Sequence, residues 1–376
     1  MVHADLWRWS PSVIFDQADL MPRPGRYRIL AGPGSPYSHK VRAALRYRRI
    51  PHDWTVPLGG FDGSGQSEGL KAFGKRLLPV VVYPDGTPWN DSTPILHEME
   101  ALHPDAPSLV PPTAPQRFLA RLVEDFADEW LAVILMAFRW TSETDVAFCA
   151  RRQMAGWLGD VDEPALTVGI EKFTARQQMV RNFIGGGDPT THAALEAEYL
   201  ALLDILERGL SRRLFLFGQR PSIADFGLYG MLSQLAIDPT PSRLMREHAV
   251  RTYQWTQWVD DLSGHQAAWA HNPAPDETLI ELVALAGRGF RSMMLASAEA
   301  AGRGELRCAF EVGGATLASV ARPYTVDCWL WLKAMFAELS EEERGSLRPI
   351  LEPAGFWGVL DFAPGEADRL KPFAKL

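Results

Sequence analysis

The residues best equipped to act on a ligand stand where a loop opens into a helix. Ser35-Pro36-Tyr37-Ser38 follows Ala31-Gly32-Pro33-Gly34, so a hydroxyl meets the start of a helix whose first position is proline. The glycines would let backbone come close to a ligand. Ser35 itself has a plainer reading, as the helix cap that accepts from a backbone N–H. Asp91 and Ser92 stand just before a second helix, where free N–H groups and the dipole favour a carboxylate. Simple capping is the alternative there, with Thr93 as the cap if Pro94 opens the helix. Ser222 and Asp225 form a Ser-x-x-Asp capping box ahead of the apolar run 226–232, and their role is folding. The nine histidines include no HxxxH or HExxH pair, and no metal is expected.

The elements that must position these residues fall into four stretches. Residues 1–25, rich in Trp, Pro and Asp, read as an arm. Across 26–112 the order is β-α-β-(loop or helix)-β-β-α: strands at 27–30, 53–56 and 77–83, helices from Pro36 and from Ser92. Pro84-Asp85-Gly86-Thr87 is a turn that returns 88–90 as an antiparallel strand. Pro79 cannot donate to a sheet ladder and belongs at a strand start. Residues 113–275 are helical throughout: Phe118, Leu122, Phe126, Trp130 and Val133 step by three or four, with Glu124, Asp125, Asp128 and Glu129 between them. Residues 276–376 form an appended α+β region, with two β-like runs around Gly313-Gly314 and a Trp-rich helix at 327–339.

At 376 residues the chain exceeds what one core usually holds. Its 38 basic and 46 acidic residues give a charge of -8, with no dense basic block, which argues against a nucleic-acid partner. No signal peptide and no membrane span are expected. Cys149, Cys308 and Cys328 are widely spaced and imply neither a disulfide framework nor a CxxC pair, so a reducing cytoplasm is the simplest setting.

Four motifs in order make residues 26–275 resemble the glutathione transferase family: Ser35-Pro36-Tyr37-Ser38, Leu78-Pro79-Val80-Val81, Asp91-Ser92-Thr93-Pro94-Ile95 and Ser222-Ile223-Ala224-Asp225. The run LVEDFADEWL and the Trp-rich tail are similar to those of bacterial members with a C-terminal extension. The resemblance implies a thioredoxin-like domain followed by an all-α domain, the glutathione-transferase fold. It implies glutathione as co-substrate, a small hydrophobic electrophile as the second substrate, and a homodimer. It makes Ser35 the catalytic hydroxyl, with Tyr37 and Ser38 as neighbouring alternatives. Serine in place of cysteine disfavours thiol exchange, because it cannot form a mixed disulfide. Leu78, before a cis Pro79, would pair with the cysteinyl unit. Ser92 would donate to the γ-glutamyl carboxylate while Asp91 takes the ammonium. Leu77 stands where the family often has Lys or Gln for the glycyl end, and Lys75 or Arg76 would substitute. Trp130, Arg139 and Trp140 would line the second-substrate pocket. The alternative function is a non-catalytic glutathione- or ligand-binding protein on the same fold.

Overall fold

A row of apolar residues crosses the first sheet: Trp54, Ile29, Val81 and Trp89 are register partners on four successive strands. The strands of this computed structural model are β1 (Tyr27–Leu30), β2 (His52–Thr55), β3 (Val80–Val82) and β4 (Pro88–Asn90), in the order β2-β1-β3-β4. The structure describes residues 20–57, 68–71, 73–75, 77–159, 162–269 and 275–370. Most of the expected arm therefore lies outside the described residues. β1 and β2 run parallel around helix α1 (Pro36–Tyr47), while β3 is antiparallel to both β1 and β4. Alternation splits the sheet between two cores. Tyr27, Ile29, Val81 and Tyr83 join the main one, and Leu30, Val80 and Val82 meet Leu20, Leu70 and Phe73 behind. The expected turn is present, with Gly86 at φ 90 and Tyr83 N–H donating to Thr87 O at 2.9 Å. Helix α2 (Glu68–Lys71) and helix α3 (Ser92–Leu102) complete this unit.

The helical part follows as α4 (Ala114–Asp125), a π-helical turn (Phe126–Trp130), α5 (Leu131–Arg139), α6 (Glu143–Leu158), α7 (Glu163–Phe183), α8 (His192–Leu210), α9 (Ile223–Leu235), α10 (Pro239–His248) and α11 (Val250–Val259). The sequence pattern reads as one continuous helix through 126–130. Apolar steps of four residues run ahead of the 3.6-residue period, and the wider turn, where Leu131 N–H reaches Phe126 O, absorbs the drift. Every residue of α9 is buried. Helix α1 lies on it where Gly230 leaves room: a Cβ there would stand 2.9 Å from Pro36 O.

The C-terminal region contributes α12 (Glu277–Arg288), α13 (Phe290–Gly302), the hairpin β5 (Arg307–Val312) and β6 (Ala315–Val320), α14 (Pro323–Glu338) and α15 (Glu341–Leu351). Gly313 and Gly314, at φ 58 and 79, make the tight hairpin turn anticipated between the two runs. This region shares its core with the rest: one apolar cluster runs from Tyr27 to Leu360. Phe118 of α4 meets Phe336 of α14 at 5.7 Å, and Arg121 lies over Trp331.

Candidate functional site

Ser35 ends a tight loop, its N–H donating to Gly32 O at 2.9 Å, and caps α1 by accepting from Ser38 N–H at 3.3 Å. With Pro36 first in the helix and no acidic residue in the first turn, the positive end of α1 stays uncompensated locally. Ser35, Pro36 and Tyr37 line a cleft of about 340 Å³, walled by α5, α6 and α7 on the other side. The two alternatives to Ser35 are otherwise engaged. Tyr37 donates its hydroxyl proton to Asp128 O at 2.8 Å, and burial raises its phenol well above the ordinary value. Ser38 is fully buried, accepts from Gly32 N–H at 3.4 Å and does not line the cleft. The Ser35 hydroxyl proton has no acceptor among the described residues.

The loop glycines line the cleft and also make room for side chains of the protein. A Cβ on Gly34 would stand 2.5 Å from Gln153 Oε1, and one on Gly32 would stand 2.8 Å from Leu78 and 3.0 Å from Trp157. Arg139 secures the same loop, donating to Gly34 O at 2.9 Å while paired with Asp238 at 2.6 Å. His39, whose ring nitrogen meets Pro33 O at 3.1 Å, is pushed down to about 4 by burial and the nearby Arg42.

The Leu78–Pro79 bond is cis, and Pro79 immediately precedes β3. Leu78 and the largely exposed Leu77 line the cleft; Lys75 does not, and Arg76 lies outside the described residues. Asp91, not Thr93, caps α3, at φ 82 and accepting from Thr93 N–H at 3.4 Å. Ser92 is buried, and neither Asp91 nor Ser92 lines the cleft. Tyr324, in the first turn of α14, hydrogen-bonds the Asp91 carboxylate, whose pKa burial raises. Beside it Arg322, which does line the cleft, pairs with Glu129 at 3.3 Å, and Thr325 donates to Glu129 at 2.8 Å.

Of the three expected pocket residues, Arg139 and Trp140 line the cleft and Trp130 does not. Trp130 is fully buried, edge-on to Phe310 of β5 at 6.1 Å and against Gly289. The family resemblance made it a pocket candidate, whereas its helical spacing fits the core position it takes; the C-terminal hairpin covers it. Trp157, Phe173 and Arg176 complete the wall and escaped the sequence reading, although 173, 176, 177, 180 and 184 share one helix face. Ser222 and Asp225 form the anticipated reciprocal box, away from the cleft.

The four carboxylates read as lying between apolar positions are buried instead. Lys40 donates to Glu124 and Asp128, each at 2.6 Å, and to Thr93 at 3.0 Å. Burial alone would lower the Lys40 ammonium, but its two carboxylates outweigh that and raise it. Among the described residues no cluster of His, Cys, Asp and Glu has the makings of a metal site, and no helix is long and apolar enough to cross a membrane.

The model of the glutathione S-transferase N-terminal domain matches residues 34–102, and that of the C-terminal domain matches 181–271. Among solved structures, the chain is similar to a glutathione S-transferase from Methylobacterium radiotolerans in complex with glutathione sulfonate, at 22% identity and TM-score 0.38, over 67% of this chain and 99% of that one. It is similar also to a rice glutathione transferase in complex with glutathione, at 19% identity and TM-score 0.38, over 64% and 92%. A beta-etherase from Sphingobium sp. matches at 18% identity and TM-score 0.44, over 62% and 94%. No curated protein matches the chain.

Proposed function

From the premise that this chain has the glutathione-transferase fold, we propose that it binds glutathione and adds its thiolate to a small hydrophobic electrophile, with Ser35 holding the thiolate. The observation that carries this is the Ser35 hydroxyl: it stands at the positive end of α1, on the cleft, with its proton uncommitted among the described residues. A thiol of pKa about 8.5 is mostly protonated at neutral pH, and lowering it by about two units needs roughly 2.7 kcal/mol of preference for thiolate. One hydrogen bond to a charged group contributes about 1.5–3 kcal/mol, and a helix N-terminus about 0.3–1. Together they suffice. The sulfur then bonds to the electrophilic carbon as a leaving group departs with its bonding pair, or as a π pair moves to the neighbouring atom and takes a proton from solvent, the thiol proton having gone to solvent. Leu78 faces the cysteinyl unit on this reading, and Asp91 with Ser92 receives the γ-glutamyl end.

Ultraviolet titration of thiolate absorbance in the binary complex tests the role of Ser35. Ser35→Ala should raise the pKa of bound glutathione by about one to two units. An identical pKa in both proteins removes Ser35 from the mechanism. Calorimetry showing no binding at millimolar glutathione, with the protein folded, removes the reading as a whole. The assembly proposed with it is a homodimer, and a monomeric mass by light scattering at micromolar concentration counts against that.

The second reading is a binding protein without turnover, on the same fold. Glutathione affinity without conjugation of a generic electrophile would decide for it.

A further inference from the structure

The cleft beneath Ser35 offers more hydrogen-bond donors than acceptors, and no carboxylate lines it among the described residues. Three guanidinium groups do. Arg139 is neutralised by Asp238 at 2.6 Å and Arg322 by Glu129 at 3.3 Å. Arg176, half-buried on α7, has neither an ion-pair nor a hydrogen-bond partner among the described residues. A guanidinium without a partner on an open cleft favours a ligand that brings it an acceptor. Much of the remaining wall is apolar and aromatic, with Trp140, Trp157 and Phe173 lining it; Trp140 and Phe173 meet edge to face at 5.7 Å, about one helical turn from Arg176.

We propose that the electrophile this cleft selects is a flat, aromatic compound bearing a carboxylate or sulfonate, with Arg176 as the residue that selects the anion. The inference rests on the transferase reading for the electrophile and on the cleft alone for the anion. A guanidinium suits either anion, since its N–H groups can meet two of the oxygens at once. A purely hydrophobic electrophile would leave Arg176 half-desolvated beside it, which costs binding.

The test is calorimetry with 4-chloro-3-nitrobenzoate and its methyl ester on the full chain, as wild type, Arg176→Gln and Arg176→Lys. The wild type should bind the acid about tenfold or more tightly than the ester, the size of one charge-assisted hydrogen bond. Arg176→Gln should abolish that preference with ester affinity unchanged, and Arg176→Lys should retain part of it. Equal binding of acid and ester by the wild type, or a preference undiminished in Arg176→Gln, overturns the inference. So does a loss of glutathione affinity, in place of benzoate affinity, in Arg176→Gln, which would give the guanidinium to a glutathione carboxylate. Chloride release with glutathione separates this from the transferase reading. There the sulfur bonds to the ring carbon, chloride leaves with the C–Cl electron pair, and the thiol proton goes to solvent. Release from both compounds without dependence on Arg176 sinks the inference and leaves the transferase. Arg176-dependent binding of the acid with no chloride released does the reverse.

Discussion

Glu124, Asp125, Asp128 and Glu129 are all buried, and their charge is met from three directions: Lys40 of α1, Arg121 of α4 and Arg322 of the C-terminal region. Opposing charges do not fully compensate. Burial pushes Asp125 up to about 7 despite its 2.9 Å pair with Arg121. Between its ordinary 3.8 and that value, the folded protein holds a proton that the unfolded chain has released. The contribution of Asp125 to stability is therefore fully present below about 4 and falls as pH rises towards 7. His39 and His97, pushed down to about 4 by burial, act in the opposite sense below about 6.5, so the informative quantity is a difference between variants. Asp125→Asn should gain stability relative to wild type as pH rises from about 5 to 7, read from urea midpoints across that range. A difference constant with pH would show that Asp125 titrates as it does in the unfolded chain. None of this was legible in the sequence, where the four acidic residues simply lie between apolar ones. Only the approach of Lys40 from α1 and α14 from the far end of the chain makes that stretch an interior.

Helix α9 owes its start to Asp225, which accepts from Ser222 N–H at 2.8 Å and from Leu216 N–H at 2.9 Å. The box was readable because its four residues are consecutive and its rule is local. The contact with Leu216 was not, since nothing in the spacing says which upstream N–H would lie within reach. Asp225→Ala should cost about 0.5–2 kcal/mol for the cap and about 1–3 kcal/mol for the second N–H left unpaired in the interior. Denaturant unfolding measures this, and glutathione affinity should persist in protein that still folds. Unchanged stability with lost binding would mean the residue belongs to the ligand and not to the fold. The π-helical turn at Phe126–Trp130 gives the same lesson in reverse. Its apolar spacing was visible, but an ordinary helix accommodates that spacing nearly as well, and the choice was made by the partners on either side. One of them is Gly289, against which Trp130 packs and where a Cβ would stand 2.3 Å from the indole.

The C-terminal region is part of the molecule's one large core and not an addition to its surface. Helix α12 lies along α8, with Thr278 filling the space over Gly209 and Arg208 paired to Glu281 at 2.6 Å. Helices α14 and α15 lie along α4. A chain ending at residue 275 should consequently fail to fold to a soluble state, because α4 and α8 would expose the faces these helices bury. Limited proteolysis of the full chain that leaves a stable fragment of residues 1–275 would contradict this. The same region reaches the ligand site. Tyr324→Phe frees the Asp91 carboxylate, and glutathione should then bind several-fold more tightly, as read by calorimetry. Equal affinity in both proteins would show that the γ-glutamyl end does not use Asp91.

What the sequence determined by itself is what short-range rules govern. The strand at 27–30, helices beginning at Pro36 and Ser92, the turn at Gly86 and the box at Ser222 each follow from a few adjacent residues. The place of Ser35 at the head of α1 is of this kind, and so is the pairing of β3 with β4 across a four-residue turn. The tertiary structure alone decided which side chains share a space. It took Trp130 out of the cleft and brought Arg176 in, set Tyr324 on Asp91, and filled the glycines of the Ser35 loop with Gln153 and Trp157. The physical reason is distance along the chain. Caps and turns are settled by energies between neighbours, whereas contacts between residues far apart in the chain depend on how every intervening helix packs.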